Sequence, residues 1–327
     1  MIDPLLAFQL DLMRLDAGTR RDVLKILNGL RKDLIAALAE NPMSEFSAAR
    51  ANRLIRESDA VIARYYAQAQ QELFATADEL SPIVAETTRA AMQVAVSTSA
   101  VLPAASVLAS VAGDALIMGA TMESWWAKQE ADVAFRFAAA IRQGIAAAQT
   151  NQQIIRRVRE ELDVTRANAA SLVQTSVAQV ANDARMAVFK ANADVVPSLK
   201  LITALDGHVC PLCMARADKQ WRTDTMAPIG HGIPFASPPI HFNDRCLLVP
   251  QTRFSAMGGG QRASMDGPVD RKTTFADFLE RKGKAFQDDV LGPGRADLWR
   301  DGKITLQDLI SGTGRPLTLA QLRSRYT

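Results

Sequence analysis

Apolar residues recur at helical spacing through residues 1–200. From Thr19 to Glu40, Val23, Leu27, Leu30, Leu34 and Leu38 fall three or four positions apart, which predicts a helix with one buried stripe. Asn41-Pro42 predicts its end, because the residue before a proline is pushed out of the helical region. A second helical stretch runs from about Ser47 to Leu80 and carries Ile55, Val61, Ile62, Tyr65, Tyr66 and Leu73. Ser81-Pro82 reads as a new start, with proline at the first helical position. A helix from about Met122 holds Trp125, Trp126, Val133, Phe135, Phe137 and Ile141, with Gly144 near its end. Thr150-Asn-Gln-Gln153 predicts a capping box that opens a helix carrying Ile154, Ile155, Val158 and Leu162. One more helix is expected from Thr165 to about Ala193. No fixed-period repeat is present, which argues against a solenoid.

The pattern changes after Pro197. Leu199 to Leu205 alternates like a short strand, and Leu247-Leu-Val249 predicts a second. Between them, residues 206–250 are rich in Pro, Gly, Asp, Cys and His and hold little that could form a core of their own. Residues 255–270, with Gly258-Gly-Gly260 and Gly267-Pro268, read as a flexible linker. In the tail, Thr274, Asp301 and Thr318 are expected helix starts. The fold class expected is mainly α: a long helical N-terminal region, then a small α+β module rich in Cys and His, then a short helical tail. The expected divisions are a helical region 1–114, a helical core 115–197, a Cys/His-rich module 198–254, a linker 255–270 and a helical tail 271–327.

Composition narrows the class. Of 327 residues, 48% are hydrophobic and 22% charged, too apolar for a disordered chain. Aromatics at 6%, with frequent alanine runs, favour helices over a β-sandwich. With 38 basic and 35 acidic residues, the net charge of +3 is too small for a protein that coats nucleic acid. Met1-Ile-Asp-Pro4 lacks the basic and apolar regions of a secretory signal. Three cysteines, an odd number, argue against a disulfide scaffold and for a reducing compartment. Ala90 to Gly113 carries no formal charge and is long enough to span a bilayer. Gln93, Ser97, Thr98, Ser99, Ser106, Ser110 and Pro103 interrupt it, so a helix–turn–helix breaking near Leu102-Pro103 is expected instead of a stable membrane span.

All three cysteines and all three histidines lie within residues 208–246. Cys210-Pro-Leu-Cys213 places two sulfurs at a spacing that suits one tetrahedral metal, and His241 and Cys246 follow in the pattern C-x2-C…H-x4-C. This Cys3His set is of the kind zinc prefers, and a closed shell of four protein ligands is structural. A loop with so little core would draw folding free energy from the metal. Asp244 is an alternative ligand. His231, flanked by glycines, reads as a loop histidine, and His208, after Asp206-Gly207, as a turn residue. Free thiols in a reduced protein, or a Cys-Pro-x-Cys redox pair, are the competing readings, although no βαβ pattern accompanies the motif.

No nucleophile elbow, phosphate loop or dinucleotide fingerprint is present, and no enzyme activity is expected. A metal-dependent nuclease built on His241 and Asn243 is the main enzymatic alternative, but no second histidine follows. Arg156, Arg157 and Arg159 form a local basic face, and Trp125-Trp126 an aromatic pair; these are the candidate partner contacts.

An ordered set of features resembles a known family. It comprises Trp125-Trp126, Ile141-Arg-Gln-Gly144, Thr150-Asn-Gln-Gln-Ile154, Thr175, the run Ala178, Ala181, Asn182 and Ala184, then Ala204-Leu-Asp206, Cys210 and Cys213, Trp221, Pro238-Pro-Ile-His241 and Arg245-Cys246. Phe275 to Leu279, Gln287, Val290 to Gly292, Leu298, Gly302 and Leu317 to Leu319 continue it. Over about residues 115–325 the chain resembles the phage minor head proteins, the head-morphogenesis family of Mu F-like and SPP1 type. Two departures stand out: Asp244 occupies a position that is commonly cysteine in that family, and Gln174 one that is often arginine. The resemblance implies a low-copy minor capsid protein inside the head near the portal, aiding head assembly or DNA packaging and ejection. It implies portal protein and major capsid protein as partners, phage DNA as a non-specific contact, and residence in the virion after assembly in the host cytoplasm. The alternative is a zinc-binding interaction protein without a virion role.

Overall fold

The computed structural model describes residues 4–40, 48–96, 100–252 and 260–326. The protein is mainly helical, as expected. Helix α1 spans Pro4–Ala39, α2 Ala48–Val96 and α3 Ala105–Asp114. A two-residue hairpin, β1 Leu116–Ile117 and β2 Ala120–Thr121, leads into α4, Met122–Ala146, and then α5, Asn151–Ala191. Strand β3 Ser198–Ile202, helix α6 Pro211–Arg216, β4 Gln220–Arg222 and β5 Leu247–Gln251 follow. The tail holds β6 Gln261–Ser264, β7 Gly267–Asp270, α7 Phe275–Glu280, α8 Lys284–Leu291, α9 Pro293–Arg300, a 3-10 turn Leu306–Leu309 and α10 Leu319–Tyr326. Among the described residues, no helix is long and apolar enough to cross a membrane. The expected stop at Asn41-Pro42, the start at Ser47 and the glycines 258 and 259 lie outside the described residues.

Four local expectations are corrected. Pro82 does not start a helix but sits inside α2. It removes one backbone donor there, yet Leu80, Ser81, Val84 and Ala85 around it are all buried, and packing outweighs the local cost. The two helices expected around Asp163 are the single 41-residue α5. Its buried stripe continues through Leu162, Thr165 and Ala169, and the Thr165 hydroxyl donates to the Leu162 carbonyl at 2.9 Å. Asp301 caps the C-terminus of α9, and the next turn is opened by a Thr305–Asp308 capping box. Residues 261–270, read as linker, pair as an antiparallel hairpin. The box expected at Thr150–Gln153 forms, and the expected helix starts at Thr274 and Thr318 are each closed by a box of their own, with Asp277 and Gln321.

The chain divides into two compact units, one of Asp11–Ser81 and Ala109–Val180, the other of Met1–Leu10, Pro82–Leu108 and Ala181–Thr327. In the first, the stripe of α1 is buried at Val23, Leu27, Leu30, Leu34 and Leu38. Cross-links reinforce it: Asn151 Nδ2 donates to the Leu38 carbonyl at 3.0 Å, and Arg136 pairs with Glu161 at 2.7 Å. Gly144 is required by close approach. A Cβ there would lie 2.3 Å from Cγ1 of the fully buried Ile154. Gly→Ala inside a helix ordinarily gains about 1 kcal/mol. Here Gly144→Ala should instead cost about 1–3 kcal/mol. Denaturant unfolding of Gly144→Ala, alone and with Ile154→Ala, checks this, because trimming the neighbour should restore part of the loss.

In the second unit, β4, β3 and β5 form an antiparallel sheet in that order, with Leu199 opposite Trp221 on one side and Pro250 on the other. Two apolar clusters flank it. One gathers Ala85, Met92, Val188, Phe189, Leu199, Leu201, Trp221 and Leu248. The other joins Leu205, Val209, Cys213 and Met214 to tail residues including Phe275, Phe278, Leu279, Leu298 and Leu309. The core that residues 206–250 lack in sequence is therefore supplied by α2, α5 and the tail.

Candidate metal centre

Where β3 ends, the chain turns at Asp206-Gly207, and one Asp206 oxygen accepts the His208 N–H at 2.8 Å. The same carboxylate grips Arg245 through two hydrogen bonds, at 2.6 and 3.0 Å, tying the start of the Cys/His segment to its end. Cys210 is the N-cap of α6, and Pro211 holds the first helical position, where its missing N–H costs nothing. The Cys210 carbonyl accepts the N–H groups of Cys213 and Met214 at 3.0 and 2.9 Å. That single turn brings both sulfurs to one side.

The opposing loop carries His241, Asp244 and Cys246. It turns through Asn243, whose φ of 61° is a left-handed conformation that asparagine tolerates. Asp244, only 6% exposed, accepts the Ile240 N–H at 2.7 Å on one oxygen and the Cys246 N–H at 2.9 Å on the other. Its carboxylate shapes the loop. His241 Nδ1 lies 2.8 Å from the Phe242 carbonyl and must donate to it, since a carbonyl only accepts. This directs Nε2 at Cys213 Sγ, 3.4 Å away, where the neutral ring would offer its lone pair.

Cys210, Cys213 and His241 form one group whose ligand atoms all lie within 4.8 Å of one another, and Cys213, Asp244 and Cys246 form a second. Cys213 belongs to both. Hydrogen bonding from the Cys213 thiol, with His241 adjacent, draws Cys210 down to about 4. Hydrogen-bonded in its neutral form to its neighbours Cys210 and Cys246, and buried, the Cys213 thiol is held far above the ordinary thiol range. The Cys213 hydrogen bond favours a Cys246 thiolate, but burial and the nearby Asp244 carboxylate push that group up to about 11. His241 rises to about 9, chiefly through its hydrogen bond with Cys210. Without a cation the cluster thus keeps one thiolate beside one imidazolium. A divalent metal would displace the remaining protons, and acid would oppose it. Three sulfurs and an imidazole whose Nε2 faces them are a borderline-soft donor set that can hold a metal ion such as zinc.

The remaining expected site residues lie elsewhere. His231 packs edge-on against Trp221, with ring centroids 5.1 Å apart; its Nε2 donates to the Gln220 carbonyl at 2.9 Å and its Nδ1 accepts from Ile233. It is a built-in structural histidine, more constrained than a loop position suggests. His208 is exposed. Trp126 is 1% exposed and stacks edge-on against Tyr66, so it belongs to the helical core, whereas Trp125 is half-buried and donates to the Ile117 carbonyl at 2.7 Å. Arg156 and Arg159 are exposed on α5, and Arg157 is half-buried against Gln143. Gln174 accepts a hydrogen bond from Arg20 at 3.3 Å.

Two arginines escaped the sequence reading. Arg216 follows Cys213 by one helical turn and is buried. Arg262, in the hairpin read as linker, is buried among Thr203, Thr273 and Asp218. Neither stands in a motif; only burial distinguishes them from surface arginines.

Residues 136–249 match the family described as Phage Mu protein F like protein. No curated protein and no solved structure matches the chain. The matched segment is narrower than the resemblance seen in the sequence, but it contains α5, the sheet up to β5 and every cysteine and histidine of the cluster. The match over residues 136–249 supports the resemblance of this chain to phage head-morphogenesis proteins.

Proposed function

We propose that this protein is a minor head component of a tailed phage or prophage, present in few copies inside the capsid near the portal. The family match over residues 136–249 carries this reading. The helical unit would contact portal and major capsid subunits. Exposed Arg156 and Arg159 would meet packaged DNA through phosphates, without sequence preference.

Within that role the Cys/His cluster would bind zinc through Cys210, Cys213, His241 and Cys246, with Asp244 shaping the loop and not ligating. The support is geometric: both Asp244 oxygens are already engaged by backbone N–H groups, and Cys210, His241 and Cys246 each place a ligand atom close to Cys213. The metal would brace a segment whose own apolar content is low.

Quantitative mass spectrometry of purified DNA-filled particles and procapsids tests the head assignment. A low, fixed ratio of this protein to portal subunits is expected. Absence from both particle types would refute a head role and leave a zinc-braced interaction protein.

A further inference from the structure

Arg216 is 3% exposed at the C-terminal end of α6. Burying a guanidinium without a counter-charge is expensive, and such groups are normally paired. Its Nη1 donates to the Leu212 carbonyl at 3.1 Å, and its Nε has no hydrogen-bond partner. Among the described residues it forms no ion pair with a carboxylate. Cys213 stands three residues before it on α6, one turn back along the same side of the helix.

The surroundings are shaped for this side chain. The turn Ser311–Arg315, closed by the Gly314 N–H on the Ser311 carbonyl at 2.8 Å, passes over the guanidinium. A Cβ on Gly314, whose φ is +80°, would lie 2.7 Å from Arg216 Nη2. The glycine serves both the left-handed turn and the close approach. The other charged groups near the sulfurs are already committed. His241 and Asp244 belong to the cluster, and Arg245 is paired with Asp206.

A divalent metal held by three thiolates and one neutral imidazole carries a net charge of −1. In a buried site that charge needs a partner. We infer that Arg216 is a positioning residue for the metal centre, the buried counter-charge that stabilises its thiolate ligands from outside the coordination shell. This rests on the metal reading of the cluster proposed above.

The test compares Arg216→Lys with Arg216→Gln in the full-length protein. Both replacements keep a hydrogen-bond donor, but only lysine keeps the charge. Zinc affinity is read by competition with a chromophoric chelator at fixed pH, and cobalt(II) substitution reports the thiolate-to-metal absorption band. Arg216→Gln should bind zinc at least about 10-fold more weakly, in the range typical of outer-shell changes, with a weakened cobalt band. Arg216→Lys should stay within about 3-fold of wild type on the same scale. Equal affinities and equal bands for the glutamine and wild-type proteins would overturn the counter-charge role while leaving the metal site intact. So would failure of both variants to fold, because lysine retains the charge. A wild-type protein that takes up neither zinc nor cobalt would overturn the metal reading itself and this inference with it.

Discussion

Cys213→Ser is expected to produce the largest loss of any single change at the cluster. Cys213 is the one donor shared by both close groups, and it is 2% exposed within the apolar cluster formed with the tail. Removing its sulfur leaves neither group with three strong ligands. Structural zinc sites in small domains contribute on the order of 10 kcal/mol of apparent binding free energy, all of it available to folding. The serine variant should therefore lose stoichiometric zinc on dialysis and several kcal/mol of stability, on the order expected when a structural metal is lost. Chelation of the wild-type protein should reproduce most of that loss. Asp244→Asn should behave differently, keeping zinc while loosening the 240–246 loop, because its carboxylate accepts two backbone N–H groups. Elemental analysis with differential scanning calorimetry separates the cases. Full zinc content and an unchanged Tm in Cys213→Ser would rule out the bracing role.

Arg262→Ala is expected to rank next. Arg262 is 7% exposed and donates to the Thr273 carbonyl at 2.8 Å and the Thr203 carbonyl at 2.6 Å. It lies 3.7 Å from Asp218, which also pairs with Lys200 at 3.1 Å and accepts the Phe275 N–H at 2.9 Å. One side chain thus joins the end of β3, the 261–270 hairpin and the start of α7. Burial pulls the Arg262 pKa below its usual value, while Asp218 acts in the opposite direction. Truncation leaves two carbonyls unpaired and removes a counter-charge from Asp218, a combination that typically costs about 3–5 kcal/mol. Urea unfolding of the purified variant measures it. A loss below about 1 kcal/mol would show the hairpin to be a dispensable attachment, as a linker would be.

These two sites differ in how far the sequence reveals them. The candidate metal donors are legible because metal chemistry demands particular residue types at short spacing. Cys210 and Cys213 fall on one turn of α6 whatever the rest of the chain does, and His241 and Cys246 follow in the same segment. Asp244 was visible as a donor but not as a loop clamp, since that role exists only once the Ile240 and Cys246 N–H groups converge on it. Arg262 was invisible. A charged residue among glycines and serines carries no local sign that it will be buried.

The sequence by itself determined the helical character, the capping box at Thr150, the helix starts at Thr274 and Thr318, the strands beginning near Leu199 and Leu247, and the gathering of the cysteines and histidines into one segment. All of these follow from periodicities, hydrogen bonds or ligand spacings that span a few residues. Tertiary structure decided what no short window contains. Packing on both sides carried α2 through Pro82 and fused the two expected helices into α5. It turned a glycine-marked stretch into a hairpin anchored by Arg262, and it gave the Cys/His segment a core drawn from the tail. The physical reason is common to these cases. A local preference is worth about 1 kcal/mol or less per residue. Burying one large apolar side chain contributes about 1.5–3 kcal/mol, and its partners can lie anywhere in the chain.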